Sequence, residues 1–95
     1  MKNYILVLSL THSENAYINL INYLKTATYW ARPLHNVWII KTGTKVTEIR
    51  DGIKSRLTPQ DRVLIMEVNG ANWGTSNISK MITDWMKINL FVRRH

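Results

Sequence analysis

The candidates for nucleophilic or acid–base chemistry in this sequence are Ser9, His12 and His35. Histidine titrates near neutral pH, so His12 and His35 could serve as general base and general acid in a metal-free ribonuclease. Ser9 and His12 could form a nucleophile and base, but no acid that would orient the histidine is identifiable. The alternative is that His12 is a loop residue and His35 a turn residue. The sequence therefore assigns none of the three a catalytic role.

Basic residues are more numerous than these candidates. The chain has 13 Lys and Arg against 6 Asp and Glu, a formal net charge of +7. Such an excess favours polyanionic partners, and basic groups interleaved with aromatic rings suit single-stranded nucleic acid. Alternatively, long basic side chains pack their stems along the edge of the core. The predicted nucleic-acid-binding residues are Arg32, Lys41, Lys45, Arg50, Lys54, Arg93, Arg94, Trp30 and Trp73, whereas Trp38 and Trp85 are assigned to the core or a dimer interface.

Composition excludes several other classes of site. The chain has no cysteine, which rules out disulfides, thiolate catalysis and zinc–thiolate sites. Residues 69–75 (NGANWGT) contain glycine but lack the Lys-Ser/Thr pair of a nucleotide-binding loop. We therefore predict no metal site and no cofactor. The longest apolar run, residues 4–8, is far shorter than a membrane-spanning helix, so a cytoplasmic protein without a membrane partner is the expectation.

The elements that must position these residues follow from hydrophobic periodicity. Apolar runs predict strands over residues 3–10, 28–32, 37–41 and 62–68, the first of them central and the second broken by Pro33. Helical periodicity follows Ser13, Thr44 and Ser76, each a possible N-cap. The order predicts one domain, residues 1–95, of the α/β (α+β) class: a ferredoxin-like β-α-β-β-α-β unit with an extra C-terminal helix and an antiparallel-containing sheet. That last helix either folds back over the sheet or completes a homodimer.

Several segments together point to a family. They are YILVLSL, YWARPLHNVWIIKT, VTEIRDGIKSRL and DRVLIMEVNGANWG, within roughly residues 3–90. In these segments the chain resembles small bacterial proteins of the SinR family. Those proteins are similar in turn to the second CRISPR-associated protein, a ferredoxin-like member of the adaptation machinery, and to VapD-type toxins.

The resemblance implies a homodimer, some relatives of which cleave RNA or DNA while others only bind it. In the nuclease relatives an aspartate at the end of the first strand helps to hold a divalent metal, and Ser9 stands at that position here. A hydroxyl is a poor ligand for a hard cation. We therefore expect a non-catalytic nucleic-acid-binding or interaction protein of bacterial defence, toxin–antitoxin or mobile-element systems. The alternatives are a degenerate or metal-free ribonuclease and an inhibitor that binds an acidic protein surface.

Overall fold

The chain is a small α+β protein with a four-stranded antiparallel sheet. The computed structural model describes residues 1–68 and 72–90. Within them the strands are β1 (Lys2–Ser9), β2 (Tyr29–Leu34), β3 (Val37–Thr42) and β4 (Arg62–Val68). The α-helices are α1 (Ile18–Leu24), α2 (Val46–Lys54) and α3 (Lys80–Asn89), and a 3₁₀ turn (Glu14–Tyr17) precedes α1. The predicted class and the antiparallel sheet are confirmed.

The sheet has the strand order β2-β3-β1-β4, so β1 is central and β2 and β4 are the edges. All three pairings are antiparallel. The central position of β1 was predicted from its apolar residues on both faces. Alternate residues of a strand point to opposite faces, which sends Leu6 and Leu8 to one side of the sheet and Ile5 and Val7 to the other.

The main core lies between the sheet and the layer formed by α1 and α2. Its buried residues are Tyr4, Leu6, Leu8, Tyr17, Leu20, Leu24, Trp38, Ile40, Ile49 and Ile53. Gly52 lets the two helices approach closely, because a Cβ at this position would overlap the ring of Tyr23. The predicted apolar faces of both helices therefore supply the buried side chains, and Trp38 is a core residue as predicted.

Among the described residues, α3 covers only part of the second face of the sheet. There α3 folds back, so that Met86 and Leu90 pack on Ile39. The first of the two predicted positions for this helix is thus the observed one. Beyond α3, the side chains of Val7, Leu64 and Met66 are exposed. The register places Val7 opposite Leu64 and also opposite Val37, so these apolar groups form one continuous patch, which we call the uncovered patch.

Three predicted details of the elements are wrong. Strand β2 does not end at Arg32 but continues through Pro33 to Leu34. Proline is tolerated there because an edge strand needs no outward N–H, and the register shifts between Ala31 and Leu34. Ser13 occupies the N-cap position before Glu14, as predicted, but its side chain makes no capping hydrogen bond.

The other two details concern the later helices. Lys45, not Thr44, is the N-cap of α2, and the backbone N–H of Thr44 instead donates to the Thr42 hydroxyl. The N-cap of α3 is Ser79 rather than Ser76, and its hydroxyl accepts from the Ile82 N–H at 3.4 Å. Serine and threonine caps depend on local backbone geometry that composition does not reveal. In the described part of the chain, no helix is long and apolar enough to cross a membrane.

Candidate nucleic-acid interface

The edge strand β2 and the end of α1 bring basic groups and aromatic rings together. Lys25 follows α1, and its Nζ lies 5.3 Å from the centroid of the Trp30 ring. That ring lies 5.3 Å from the Trp38 ring, centroid to centroid. The guanidinium carbon of Arg32 lies 5.0 Å from the Trp38 centroid. A lysine, an exposed ring and an arginine therefore lie side by side along this side of β2, which we call the β2 ribbon: Lys25, Trp30, Arg32 and the adjoining His35.

A carboxylate neutralises part of the β2 ribbon. Arg32 Nη1 lies 2.7 Å from Glu14 Oε1. Its Nε donates to the backbone carbonyl of His35 at 2.8 Å. The hydrogen bond from Arg32, and then its charge, hold the pKa of Glu14 below its ordinary value, and the charges of His35 and Lys25 act in the same direction. Glu14 is exposed, so the pair can exchange with an incoming anion at little cost.

A small cavity of about 70 Å³ opens beside the β2 ribbon. Its lining includes the apolar side chains of Leu8, Leu20 and Trp38. Its polar lining residues are His12, Glu14, Tyr17, Arg32, His35 and Asn36. The structure thus brings three sequence-predicted residues, His12, His35 and Arg32, to one place, although His12 is far from the other two along the chain.

Ser9 is separated from this group. It is paired with Arg62, and its side chain points to the face of the sheet opposite Leu8, away from the cavity. The described residues include no hydrogen bond between Ser9 and His12. The nucleophile–base pair considered from sequence is therefore not assembled, whereas the two histidines do share a site.

The loop that carries His12 is held by a carboxylate that sequence reasoning missed. Asp61 accepts hydrogen bonds from the Tyr17 hydroxyl (2.7 Å), the Thr11 N–H and hydroxyl (2.8 Å each) and the Thr58 N–H (2.7 Å). The Tyr17 hydroxyl also accepts from the His12 N–H at 3.1 Å. Partial burial favours the neutral acid, but these hydrogen bonds outweigh it and hold the pKa of Asp61 well below its ordinary value.

The basic residues predicted on α2 lie on a different surface. Lys45 begins the helix, and Lys54 is exposed at its end. Arg50 pairs with Asp51 at 3.1 Å and borders a groove beside Val63 and Leu64 of β4. None of the three lines the cavity or contacts the rings of the β2 ribbon among the interactions of the described residues.

The remaining predicted residues are dispersed. Lys41 lies on the other face of the edge, where its Nζ is 5.9 Å from the Tyr29 centroid. Trp73 follows β4 in the segment before α3 and is as exposed as Trp30, at 37% for each. Arg93 and Arg94 lie outside the described residues. Besides Asp61, sequence reasoning missed Lys25, Glu14 and Asn36. Only Lys25 had a usable signal, because a lysine at a helix end close to a tryptophan in sequence can reach its ring.

Neither a metal-binding group among the described residues nor a similar known protein indicates a function for this chain. Across residues 1–68 and 72–90, no group of three or more His, Asp or Glu side chains is arranged to hold a metal ion. Comparisons of the chain with protein-family models, with curated proteins and with solved structures find no match. Function has to be argued from the interface itself.

Proposed function

We propose that this protein binds single-stranded nucleic acid, without cleaving it, through the β2 ribbon. The observation that carries the proposal is that Lys25, the exposed ring of Trp30 and Arg32 lie side by side along β2, with Trp30 and Arg32 both packed on the buried Trp38. Bases stack on exposed rings while lysine and arginine neutralise the phosphates, so sequence-independent binding needs both groups side by side. The net charge of +7 adds long-range attraction for a polyanion.

The fold we propose for this function is ferredoxin-like. In support, the strand order β2-β3-β1-β4 is antiparallel throughout, and each of the connections β1–β2 and β3–β4 contains a helix. The sequence resemblance to the SinR family supports the same fold, and it is the basis for proposing a cytoplasmic role in bacterial defence, toxin–antitoxin or mobile-element systems.

We further propose that the protein acts as a homodimer that buries the uncovered patch. Exposed contiguous apolar groups on a sheet favour association, and Val7, Leu64 and Met66 are such groups. The β2 ribbon lies at the opposite edge from β4, so a dimer formed over the β4 side leaves the nucleic-acid interface open.

The test is the affinity for a fluorescent single-stranded oligonucleotide, measured by anisotropy at several salt concentrations. We expect binding that weakens as salt rises, because counterions are released from the phosphates. Trp30→Ala should weaken binding by about 1–3 kcal/mol, the stacking contribution of one ring. Trp73→Ala is the matched control, because Trp73 has the same exposure but lies outside the ribbon. Equal losses from both variants would contradict the assignment of the ribbon.

A second function, metal-free RNA cleavage, has one observation in its favour: His12, His35 and Arg32 line the same cavity. Two histidines could exchange protons with a phosphodiester while the arginine stabilises its charge. Cleavage of RNA by the purified protein in the presence of EDTA, abolished by His12→Ala, would support this function over simple binding. Cleavage that requires magnesium or manganese would contradict both metal-free cleavage and binding without cleavage.

The third possibility, an inhibitor of a protein with an acidic surface, predicts a different result in the binding assay. An absence of oligonucleotide affinity at low salt would exclude nucleic-acid binding and leave the basic surface available for such a protein partner.

A further inference from the structure

The cavity beside the β2 ribbon has side chains in its lining that carry charge or can acquire it. They are His12, Glu14, Arg32 and His35. His12, Glu14 and His35 are exposed, and the side chain of Arg32 keeps 23% of its accessible surface. A ligand can therefore reach all four groups from solvent. We call these four residues the cavity mouth.

The cavity mouth already binds one anion, the carboxylate of Glu14. Arg32 Nη1 lies 2.7 Å from Glu14 Oε1. Arg32 Nε donates to the backbone carbonyl of His35 at 2.8 Å, which orients the guanidinium. The hydrogen bond from Arg32 above all holds the pKa of Glu14 below its ordinary value, and the charge of His35 acts in the same direction. The positive groups at this place therefore favour an anion, which the chain itself supplies.

The size of the cavity suits a compact anion rather than a ring. Its volume of about 70 Å³ exceeds the roughly 10–15 Å³ that one water molecule requires, but it is only about half of the roughly 150 Å³ of a cavity that encloses benzene. A phosphate monoester is compact, and at pH 7 it has about 1.5–2 negative charges and three strong acceptor oxygens. It therefore exceeds a carboxylate both in charge and in the number of hydrogen bonds that it accepts.

We propose that His12, Arg32 and His35 bind the terminal phosphate of the bound strand, in exchange for the carboxylate of Glu14. The donors are Arg32 Nη1 and the ring N–H groups of the two histidines. A terminal phosphate is attached to the strand on one side only, so its oxygens can enter a recess. A phosphate within the strand has a sugar on each side and a single charge, and it stays on the open surface of the ribbon.

The β2 ribbon and the cavity mouth are continuous, which allows one strand to occupy both. Arg32 and His35 belong to the ribbon and also line the cavity, whereas His12 lines it from the segment between β1 and α1. A strand whose bases stack on Trp30 can therefore end at the cavity. The inference rests on the proposed nucleic-acid binding, to which it adds recognition of a phosphorylated end.

The experiment compares three single strands of one sequence, each labelled on an internal base. One strand has a 5′-phosphate, one has a 3′-phosphate and one has hydroxyl groups at both ends. In anisotropy titrations at neutral pH and fixed salt, we expect at least one phosphorylated strand to bind about tenfold more tightly than the hydroxyl strand, the gain typical of hydrogen bonds to an ionised group. Equal affinity for all three strands overturns the inference and leaves nucleic-acid binding intact.

His12→Asn tests whether the cavity mouth causes this preference. His12 is exposed, and within the described residues its hydrogen bond is made by the backbone N–H to the Tyr17 hydroxyl, which the variant keeps. The tenfold ratio of dissociation constants should fall to about threefold or less, because one donor to the phosphate is lost. Lys54→Gln is the control, since it removes a full positive charge on α2 and should keep the ratio. Equal falls in the two variants would show that net charge recognises the end, and would overturn the inference.

Titration with inorganic phosphate tests the cavity mouth without any oligonucleotide. Phosphate should shift the NMR signals of the His12 and His35 rings, and sodium chloride of the same ionic strength should not. Ring signals that do not respond to phosphate overturn the inference. If phosphate shifts the signals but no phosphorylated strand gains affinity, the site takes free phosphate and not a strand end, which also overturns it. If none of the three strands binds, the proposed function fails, and the phosphate titration then decides the anion site by itself.

Discussion

Two carboxylates connect the segment between β1 and α1 to opposite edges of the sheet, and they do so differently. Asp61, just before β4, accepts four hydrogen bonds from Thr11, Tyr17 and Thr58. Glu14 reaches Arg32 on β2 through one exposed ion pair. The hydrogen bonds of Asp61 stabilise the fold, because they join three separate segments of the chain at one carboxylate. The ion pair of Glu14 can be exchanged, since a phosphate offers Arg32 the same charge and the same acceptors as a carboxylate.

The two edge strands differ in how readily they can associate with another protein chain. Strand β2 contains Pro33, an irregular register and flanking basic groups, which are features that discourage pairing with another strand. Strand β4 (RVLIMEV) contains no proline and exposes Leu64 and Met66. We infer that β2 is the edge for a charged ligand and that β4 is the side for contact with a second copy.

The largest expected effect comes from Leu64→Lys. A charge in the uncovered patch should raise the dimer dissociation constant more than hundredfold. Burial of one leucine contributes about 1.5–3 kcal/mol, and a two-fold interface counts it twice. Sedimentation equilibrium measures the change. Ile18→Lys on α1 is the matched control, because Ile18 is 57% and Leu64 55% exposed while α1 packs on the other face of the sheet, and it should leave association unchanged. A wild-type protein that is monomeric at all concentrations would refute the assignment of the β4 side to contact with a second copy.

Asp61→Asn should destabilise the fold in a pH-dependent way. The folded-state pKa of Asp61 lies below its unfolded value of about 3.9, so the ionised carboxylate stabilises the folded state above about pH 4. That contribution is lost as the pH falls below 4 towards the folded pKa. Denaturant unfolding at several pH values should therefore show a large difference between wild type and variant at neutral pH, which narrows in acid.

Asp51→Asn provides the comparison for this prediction. Asp51 is an exposed carboxylate on α2 whose partner is the neighbouring Arg50. We expect little change in stability from this substitution, because exposed pairs contribute about 0–1 kcal/mol. If Asp61→Asn and Asp51→Asn lower the free energy of unfolding equally, the hydrogen bonds of Asp61 do not contribute specifically to the stability of the fold.

Lys25→Gln should reduce the salt dependence of oligonucleotide binding. Each neutralised phosphate of a single strand contributes about 0.7 to the slope of log affinity against log salt. Removal of one contact should lower the slope by about that amount. Lys54→Gln changes the net charge equally but lies on α2, so its slope should match the wild type. If Lys54→Gln lowers the slope and Lys25→Gln does not, the nucleic acid binds at the basic residues predicted on α2 and not at β2.

Glu14→Gln has the smallest expected effect and the opposite sign. Loss of the carboxylate frees Arg32 for phosphate, and the affinity should rise about two- to fivefold, in line with the small contribution of an exposed ion pair. Glu48→Gln on α2 makes the same change in net charge away from the ribbon. A larger increase for Glu48→Gln in the anisotropy assay would refute the role of Glu14 as the exchangeable partner of Arg32.

Much of the fold could be predicted because its signals are local. Periods of 2 and 3.6 residues in the apolar pattern indicate strands and helices without knowledge of the partners, and β4 begins and ends where predicted, at Arg62 and Val68. Boundaries were less certain where tertiary position decides them. Pro33 would end a central strand, yet it is accommodated in β2 because that strand is an edge.

The candidate site was predictable only in part. The types of Arg32, His12 and His35 marked them as candidates, but no pattern in the sequence indicated that they share a cavity. The sequence also did not reveal that Lys45, Arg50 and Lys54 lie on another surface. Contacts such as Arg32–Glu14 join residues whose separation along the chain carries no periodic signal, so they become visible only when the strands are paired.

The sequence by itself determined the α+β class, the central position of β1, the basic charge and a serine at the end of the first strand. The tertiary structure alone decided which basic groups accompany rings, which face of the sheet α3 covers and which donors Asp61 accepts from. The physical reason is that hydrophobic periodicity is a property of neighbouring residues. Hydrogen-bond partners, cavities and exposed patches arise from long-range packing, which becomes fixed only in the folded chain.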